Sequence, residues 1–226
     1  MDKAALGALE AARVTRPVPL RQVVYDALAE LIINRTLRAG QHLVEADLAE
    51  HLGVSRQPIR EALQRLQAEG WVDLRPGQGA FVHTPTDEEA DELFGVRTVL
   101  EAYAARLAAE RATSAAVARL LDLQNEGLAA LSAGDTDRLV AANAALHAFV
   151  VDVAGNSVLR ELMGGVARRV RWYHTPVAQL RGKDSWLEHA ELIEAIGNND
   201  ADAAEAVMTR HTERTRRAFH ERSTQD

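Results

Sequence analysis

The sequence has 226 residues, a net charge of −7, no cysteine, 47% hydrophobic residues and only 4% aromatic residues. This length allows two domains with hydrophobic cores, the scarcity of aromatics favours packed helices over a β-sandwich, and the missing cysteine excludes disulfides and thiolate chemistry. Because no hydrophobic run has the length of a membrane span and the N-terminus lacks the apolar core of a signal peptide, we expect a cytoplasmic protein with no membrane partner.

The negative charge belongs mainly to the second part of the chain. Up to Pro85 there are ten Lys and Arg against ten Asp and Glu, and beyond it there are 16 against 23. A neutral first part can still carry a local positive patch, and nucleic-acid binding requires only such a patch. We therefore do not exclude a DNA-binding protein on the basis of the acidic total.

The first domain is predicted over residues 17–83, after an N-terminal tail of residues 1–16 that shows no sustained periodicity. It begins with a helix over residues 20–34, whose apolar residues recur at helical spacing. Residues 35–43 are expected to form a loop.

Two short helical patterns separated by a break follow this loop. Gly53 ends the first helix, and Ser55 is expected to cap the second through its hydroxyl. The second helix turns an apolar stripe inward and presents Arg56, Gln57 and Arg60 outward. Since Arg pairs with guanine and Gln with adenine in the major groove, this pattern favours a DNA-binding helix-turn-helix. From these residues alone, an ordinary helix pair with a solvated charged face stays open.

A β-hairpin is predicted directly after the second helix. Residues 71–74 alternate like a strand, residues 75–79 have the composition of a turn, and residues 80–82 form the second strand. Within this turn, Gly77 allows close approach to DNA and Arg75 supplies a positive charge. The hairpin therefore has the position of the wing of a winged helix-turn-helix.

The second domain is predicted over residues 87–222, after a linker of residues 84–86. Thr86 with Glu89 forms a capping box that opens its first helix, and Ser185 with Glu188 is expected to form another. Helical patterns cover residues 87–113, 115–133, 135–154, 157–174, 185–197 and 200–222. The fold class is therefore mainly α, with a winged helix-turn-helix followed by an all-α bundle of about six helices.

Polar residues occur on helix faces that are expected to be buried and apolar. Asn143 and His147 are four residues apart on one face, and His189 and His211 lie on later helices. Three imidazoles and one oxygen suit a divalent metal ion, with zinc preferred and nickel or manganese as alternatives. Single satisfied core histidines are the competing interpretation. Arg97 is a candidate anchor for a carboxylate in the same interior, although a surface ion pair with Glu101 is the alternative.

These residues resemble the GntR transcriptional regulators, in the FadR subfamily whose effector part is called the FCD domain. The first part is similar in VVYDALAELIINRTLRAGQHLVEADLAEHLGVSRQPIREALQRLQAEGWVDLRPGQGAFV, and the second in RTVLEAYAARLAAERA, NAALHAFVVDVAGNSVL and EHAELIEAI. The resemblance implies operator contacts for Arg56 and Arg60 and a wing-tip role for Gly77. It also implies metal ligation by Asn143, where an amide replaces the commoner carboxylate, and by His147, His189 and His211, with Arg97 in the effector pocket.

We therefore predict a homodimeric regulator, usually a repressor, that binds a short inverted repeat of double-stranded DNA. A small organic acid entering the helical domain is expected to change its DNA affinity. Two alternatives are a metal-dependent enzyme that uses the three histidines to activate water, and a regulator whose helical domain dimerises without metal. The enzyme would leave the DNA-binding half unexplained, and no further carboxylate has the spacing of a general base.

Overall fold

The computed structural model describes residues 18–223, apart from the side chains of residues 174, 176, 222 and 223. The predicted tail of residues 1–16 lies outside the described residues. Contacts divide the chain into two compact units. One contains the described residues up to Leu31 together with Arg38–His83, and the other contains Ile32–Leu37 together with the described residues from Thr84 onward. The fold is mainly helical, as predicted.

The first unit contains most of one helix, whose last two residues belong to the second unit, and the two helices that form the predicted helix-turn-helix. These are α1 (Leu20–Ile33), α2 (Glu45–Leu52) and α3 (Arg56–Ala68). Gly53 ends α2 in the left-handed conformation, with φ of 64°, as its position predicts. Helix α3 buries the apolar stripe formed by Ile59, Ala62, Leu63 and Leu66.

The prediction that the Ser55 hydroxyl caps α3 by a hydrogen bond is wrong. Ser55 occupies the N-cap position of α3, but among the described residues its side chain makes no capping hydrogen bond. Because Ser55 is exposed, water can hydrogen-bond both its hydroxyl and the free N–H groups of the first turn.

A three-stranded antiparallel sheet completes the first unit. The predicted hairpin is present as β2 (Val72–Arg75) and β3 (Gly79–Val82), paired from Val72 with Val82 to Arg75 with Gly79. The predicted loop of residues 35–43 is wrong at its end, because His42 and Leu43 form a short strand, β1, on the other side of β3. Two residues are too few to show a strand alternation in sequence, so only the pairing reveals this strand.

The second unit is a helical bundle. Its helices are α4 (Asp87–Arg111), α5 (Ser114–Ala133), α6 (Thr136–Val153), α7 (Ser157–His174), α8 (Ala178–Gly197) and α9 (Ala201–Ser223), with a 3₁₀ turn at Thr175–Val177. The predicted capping box is present at the start of α4: Glu89 N donates to Thr86 Oγ1 over 3.2 Å, and Thr86 N donates to Glu89 Oε2 over 2.8 Å.

The second predicted capping box is wrong. Helix α8 begins at Ala178, so Ser185 and Glu188 lie inside a continuous helix, where both are buried. The short 3₁₀ turn lets the chain start a new helix seven residues earlier than the sequence pattern suggests. Glu188 binds cationic side chains instead of a helix N-terminus, and these contacts belong to the candidate site described below.

Close packing joins α5 to α8. A Cβ atom added to Gly127 would lie 1.9 Å from the Trp186 ring, so only glycine fits at this contact. Nearby, Gln124 Nε2 donates a hydrogen bond to the Trp186 carbonyl over 2.7 Å. The core also contains the fully buried Leu120, Leu146 and Ile196. Among residues 18–223, no helix combines the length and apolar character needed to cross a membrane.

Candidate functional site

Helices α6, α8 and α9 bring three histidines together in the bundle interior. The ring centroids of His147 and His189 lie 5.2 Å apart, those of His147 and His211 5.1 Å, and those of His189 and His211 4.6 Å. One ring nitrogen from each residue lies within 4.8 Å of the others. All three side chains are buried, with exposed fractions of 6%, 1% and 2%. The sequence pattern could place each histidine on a helix face, and the fold supplies their convergence.

A buried carboxylate orients one of these histidines. Glu188 Oε2 lies 2.9 Å from His211 Nδ1, while Oε1 accepts a hydrogen bond from Arg214 Nη1 over 2.7 Å. The same carboxylate also accepts from the buried Arg181 guanidinium. Because a carboxylate only accepts hydrogen bonds, Nδ1 of His211 carries the proton in this contact. The Nε2 atom of a neutral His211 then carries a free electron pair.

Burial keeps His211 neutral. It lowers the pKa of His211 well below the ordinary value, and the neighbouring His147 and Arg97 side chains lower it further. A neutral imidazole is the form that ligates metal ions, so the environment already selects the binding-competent state.

A second buried carboxylate links the histidine cluster to an arginine. Glu101 Oε1 lies 3.1 Å from Arg97 Nε, and Glu101 Oε2 lies 2.9 Å from His147 Nδ1. The pair of Arg97 and Glu101 is thus buried, with exposed fractions of 1% and 3%, and the alternative of a surface pair is wrong. Burial alone would raise the pKa of Glu101, but the neighbouring Arg97 and His147 lower it well below its ordinary value.

This group of side chains is incompletely hydrogen-bonded. Arg97 Nη1 and His147 Nε2 have no hydrogen-bond partner among the described residues, and the close contacts of Glu101 with Arg97 Nε and His147 Nδ1 are not aligned as hydrogen bonds. Buried polar atoms are normally satisfied, so these atoms indicate a site for an additional polar group. The donor set of three imidazoles with a nearby carboxylate and amide fits a divalent metal ion.

A cavity of about 190 Å³ opens beside this group, between α4, α6 and α7. Arg97, Glu101, Asn143 and His147 line its polar end. Asn143 is buried and lies one turn before His147 on α6. The structure thus places Asn143 and Arg97, two further residues singled out from the sequence, at the cavity that adjoins the histidine cluster.

A second candidate site, on the surface, lies in the first unit. Arg56, Gln57 and Arg60 are exposed on α3, as predicted. Arg60 forms a two-pronged ion pair with Glu45 of α2, with Nε to Oε1 at 3.0 Å and Nη2 to Oε2 at 2.8 Å. The hydrogen bond from Arg60 lowers the pKa of Glu45. Gln57 Nε2 donates to Glu61 Oε1 over 3.0 Å.

The wing places the other two predicted residues beside α3. The Arg75 guanidinium lies 4.2 Å from the centroid of the Phe81 ring, which holds it against β3 by a cation–π contact. Gly77 has a φ of 72°, which a turn at the tip of the hairpin requires. Arg60, Gln64, Arg75 and Gly77 line one groove between α3 and the wing. A helix face and a wing that share a cationic groove are suited to a DNA duplex.

Three carboxylates of these sites were not assigned from the sequence. The sequence indicates Glu101 only as a possible partner of Arg97, because the four-residue spacing places both on the same helix face. The spacing of Glu188 from Ser185 matches a capping box, and this pattern does not indicate that Glu188 lies beside His211. Glu45 offered no signal, because it lies 15 residues from its partner Arg60 and only the crossing of α2 and α3 joins them.

Comparison with known proteins agrees with this arrangement. Residues 20–82 match the bacterial regulatory proteins of the gntR family, and residues 92–214 match the FCD domain. The chain is 30% identical over 207 residues to the HTH-type transcriptional regulator LutR of Bacillus subtilis, covering 80% of this chain and 92% of LutR. It is 25% identical over 201 residues to the HTH-type transcriptional repressor RspR of Escherichia coli, covering 85% and 86% of the two chains.

A solved structure shares the fold. The structure of E. coli McbR/YncC aligns with a TM-score of 0.79 at 22% sequence identity, over 92% of this chain and 100% of that chain. The family matches together account for most of the residues that the structure describes. The chain therefore belongs to the GntR family and is a DNA-binding transcriptional regulator with an FCD domain, not an enzyme.

Proposed function

We propose that this regulator is a homodimeric repressor whose FCD domain binds a divalent metal ion and a small carboxylate, and that the carboxylate changes its affinity for operator DNA. One observation carries this proposal: three buried histidines meet in the bundle interior, and one of them, His147, lines a cavity together with the buried Arg97, whose Nη1 has no hydrogen-bond partner among the described residues. Such a group attracts an anion to a site that already favours metal ligation.

His147, His189 and His211 are the proposed nitrogen ligands, with zinc as the first candidate and nickel or manganese as alternatives. Asn143 is the oxygen ligand expected from the sequence, and Glu101 is a second candidate because its Oε2 lies 2.9 Å from His147 Nδ1. When bound, the metal ion would supply a positive charge, and an effector carboxylate could coordinate the ion. Arg97 would hold the same carboxylate by hydrogen bonds from its guanidinium.

Operator binding is assigned to Arg56, Gln57, Arg60, Arg75 and Gly77. Exposure of the α3 side chains and the shared groove with the wing support this assignment. Arg60 must exchange Glu45 for a base edge or a phosphate, which is feasible because both side chains of the pair are partly exposed. A two-fold symmetric dimer suits a short inverted repeat, and the cytoplasm is where such a protein meets DNA.

Repression is proposed by similarity, since RspR is a repressor by name. The proposed regulation is a linkage between two binding equilibria. A carboxylate that prefers the arrangement unable to bind the operator weakens DNA binding by the ratio of its affinities for the two arrangements. Residues 84–86 connect the two domains and would transmit the change.

Elemental analysis of the purified full chain tests the metal proposal. We expect about one divalent ion per chain in the wild type, and its loss in both His147→Ala and His189→Ala. A wild type that takes up no zinc, nickel or manganese would refute the metal site. If His147→Ala then also left stability unchanged, the helical domain would be a dimerisation module with unrelated histidines.

A further inference from the structure

A groove runs between α3 and the wing of the first unit. Its lining is apolar or glycine except for five polar side chains, which are His42, Glu45, Arg60, Gln64 and Arg75. Because Glu45 and Arg60 form an ion pair with each other, Arg75 leaves the lining with a net positive charge. His42 and Gln64 therefore lie in the same cationic groove as two of the residues assigned to operator binding.

The Gln64 amide is available to a ligand in this groove. Gln64 is exposed on α3 one turn after Arg60, and residues four apart share one face of a helix. On the same helix, the Gln57 amide is bonded to Glu61. The Gln64 side chain, in contrast, makes no hydrogen bond with any other described residue. Its N–H groups can therefore donate to a molecule that enters the groove.

One aromatic ring supports both His42 and Arg75. The strand order is β1, β3, β2, so Phe81 of β3 lies between the strands that carry these two residues. The His42 ring stacks on the Phe81 ring with 4.7 Å between centroids and 24° between planes, and the Arg75 guanidinium lies 4.2 Å from the same centroid. Contacts that hold a side chain in place reduce the entropy lost when that side chain binds a ligand. His42 is exposed, so its ring nitrogens can reach such a ligand.

The dimensions of B-DNA place a sugar–phosphate strand beside α3. An α-helix with its side chains is about 10–12 Å in diameter, and the major groove is about 12 Å wide. A helix that contacts base edges therefore fills the major groove and lies against the strands that bound it. The protein groove opens along the side of α3, so it faces phosphates and not base edges. Phosphate oxygens accept hydrogen bonds, and His42, Gln64 and Arg75 all carry N–H donors.

We propose that this groove receives one sugar–phosphate strand of the operator, and that His42 and Gln64 are two further DNA-contacting residues that each donate a hydrogen bond to a phosphate. Arg75 supplies the positive charge that attracts the strand. This inference rests on the proposed operator surface, because it assumes that α3 lies in the major groove. It goes further by assigning phosphate contacts to both residues, which fix the position of the protein on DNA without reading its sequence.

Fluorescence anisotropy of the full chain tests this inference on a duplex selected from random DNA and on the same duplex with one base pair changed in each half-site. Gln64→Met removes the amide at similar size, and His42→Phe keeps an aromatic ring against Phe81 but removes the ring nitrogens. We expect each variant to lose about tenfold in affinity for both duplexes, as for one hydrogen bond to a charged group. Gln67→Met is the matched control, because Gln67 is exposed on α3 outside the groove, and it should leave affinity unchanged.

Two further measurements distinguish a phosphate from a base as the partner of Gln64. Gln64→Lys should bind at least as tightly as the wild type, because a phosphate also accepts from an ammonium group. The slope of log Kd against log salt should then rise by about one per subunit. In a methylphosphonate scan of the selected duplex, we expect one neutralised phosphate per half-site that weakens wild-type binding but has no further effect on Gln64→Met. Both side chains are exposed, so the substitutions remove no buried contact.

The outcomes distinguish this inference from the proposed operator surface. Wild-type affinity in Gln64→Met or in His42→Phe would overturn the inference for that residue, while weaker binding by Arg56→Ala in the same assay would leave the operator surface in place. A loss confined to the selected duplex, or one that Gln64→Lys does not restore, would indicate base recognition and would also overturn the inference. Unchanged binding in all three variants, including Arg56→Ala, would overturn the operator surface itself.

Discussion

Glu188 Oε2 lies 2.9 Å from His211 Nδ1, and both residues are buried. This contact fixes the ring so that Nε2 is the atom available for ligation. Carboxylates beside metal-binding histidines act in this way, and their removal typically lowers metal affinity 10- to 100-fold. Glu188 is therefore a positioning residue for His211.

Glu188→Gln should lower zinc affinity by about 10- to 100-fold, because the amide no longer enforces a protonated Nδ1. Competition with a chromophoric chelator measures this change. Arg214→Gln is the matched control, because Arg214 contacts Oε1 of the same carboxylate and leaves the bond to His211 intact. An equal loss of affinity in both variants would show that Glu188 acts through charge balance and not through His211.

The stability of the metal-free protein should decrease in acid because of His211. Its folded-state pKa is depressed, so below the ordinary value of 6.5 the unfolded chain binds a proton that the folded chain does not. The free energy of unfolding should fall by up to about 1.4 kcal/mol per pH unit below pH 6.5 until the folded-state pKa is reached. Above pH 6.5 both states are neutral at this position, and its contribution is constant.

Urea unfolding of His211→Gln supplies the control for this pH dependence, since the Gln amide can still donate to Glu188 but does not titrate. The variant should lose less stability than the wild type between pH 6.5 and pH 5. If the stability of the two proteins fell in parallel with pH, His211 would not be the cause of the loss of stability in acid.

Gly127→Ala should destabilise the bundle by about 1–3 kcal/mol or more, because the new methyl group overlaps the Trp186 ring. The Trp186 ring lies 4.8 Å from the His189 ring, so its displacement should also weaken metal binding. Gly95→Ala is the matched control within α4, where an added Cβ meets no atom within 4 Å. That substitution should stabilise the chain by about 0.5–1 kcal/mol. A Gly127→Ala protein as stable as the wild type would refute the tight contact.

The DNA surface makes a separate prediction for Arg56. Arg56→Ala should cost about 1–3 kcal/mol of operator binding if Arg56 reads a base, and should mainly flatten the salt dependence if it contacts only phosphate. Fluorescence anisotropy on matched and mismatched duplexes separates the two cases. Arg119→Ala removes an exposed arginine that pairs with Glu126 in the bundle, and it should leave operator binding unchanged.

Glu45→Gln should strengthen operator binding by up to about fivefold, because it releases Arg60 from an exposed ion pair. The gain should disappear when Glu45→Gln is combined with Arg60→Ala. Weaker DNA binding by the single Glu45→Gln variant would show instead that Glu45 positions Arg60 for its DNA contact.

Local sequence signals predicted the fold well. Gly53, the capping box of Thr86 with Glu89, and the apolar spacing of α3 each depend on residues within one or two turns, and the structure agrees with all three. The failures occurred where a tertiary contact competed with a local pattern. Ser185 and Glu188 have the spacing of a capping box, but burial beside Arg181 makes Glu188 part of a charged network inside α8.

The candidate site was predictable in its residues but not in its geometry. His147, His189 and His211 lie on separate helices, and helical periodicity gives no information about how helices α6, α8 and α9 are arranged. The burial of Arg97 and Glu101 was also hidden, because an Arg and a Glu four residues apart usually form a surface pair. Only the packed bundle shows that this pair is enclosed and lies at a cavity.

A carboxylate bound at Arg97 is proposed to change operator affinity. The most direct measurement is the Kd of the zinc-supplemented full chain for a duplex selected from random DNA, with and without saturating acetate as a carboxylate probe, in the wild type and in Arg97→Gln. We predict a change in Kd of at least fivefold for the wild type and none for the variant. An unchanged Kd in the wild type, under conditions where calorimetry shows acetate to be bound, would contradict this proposal.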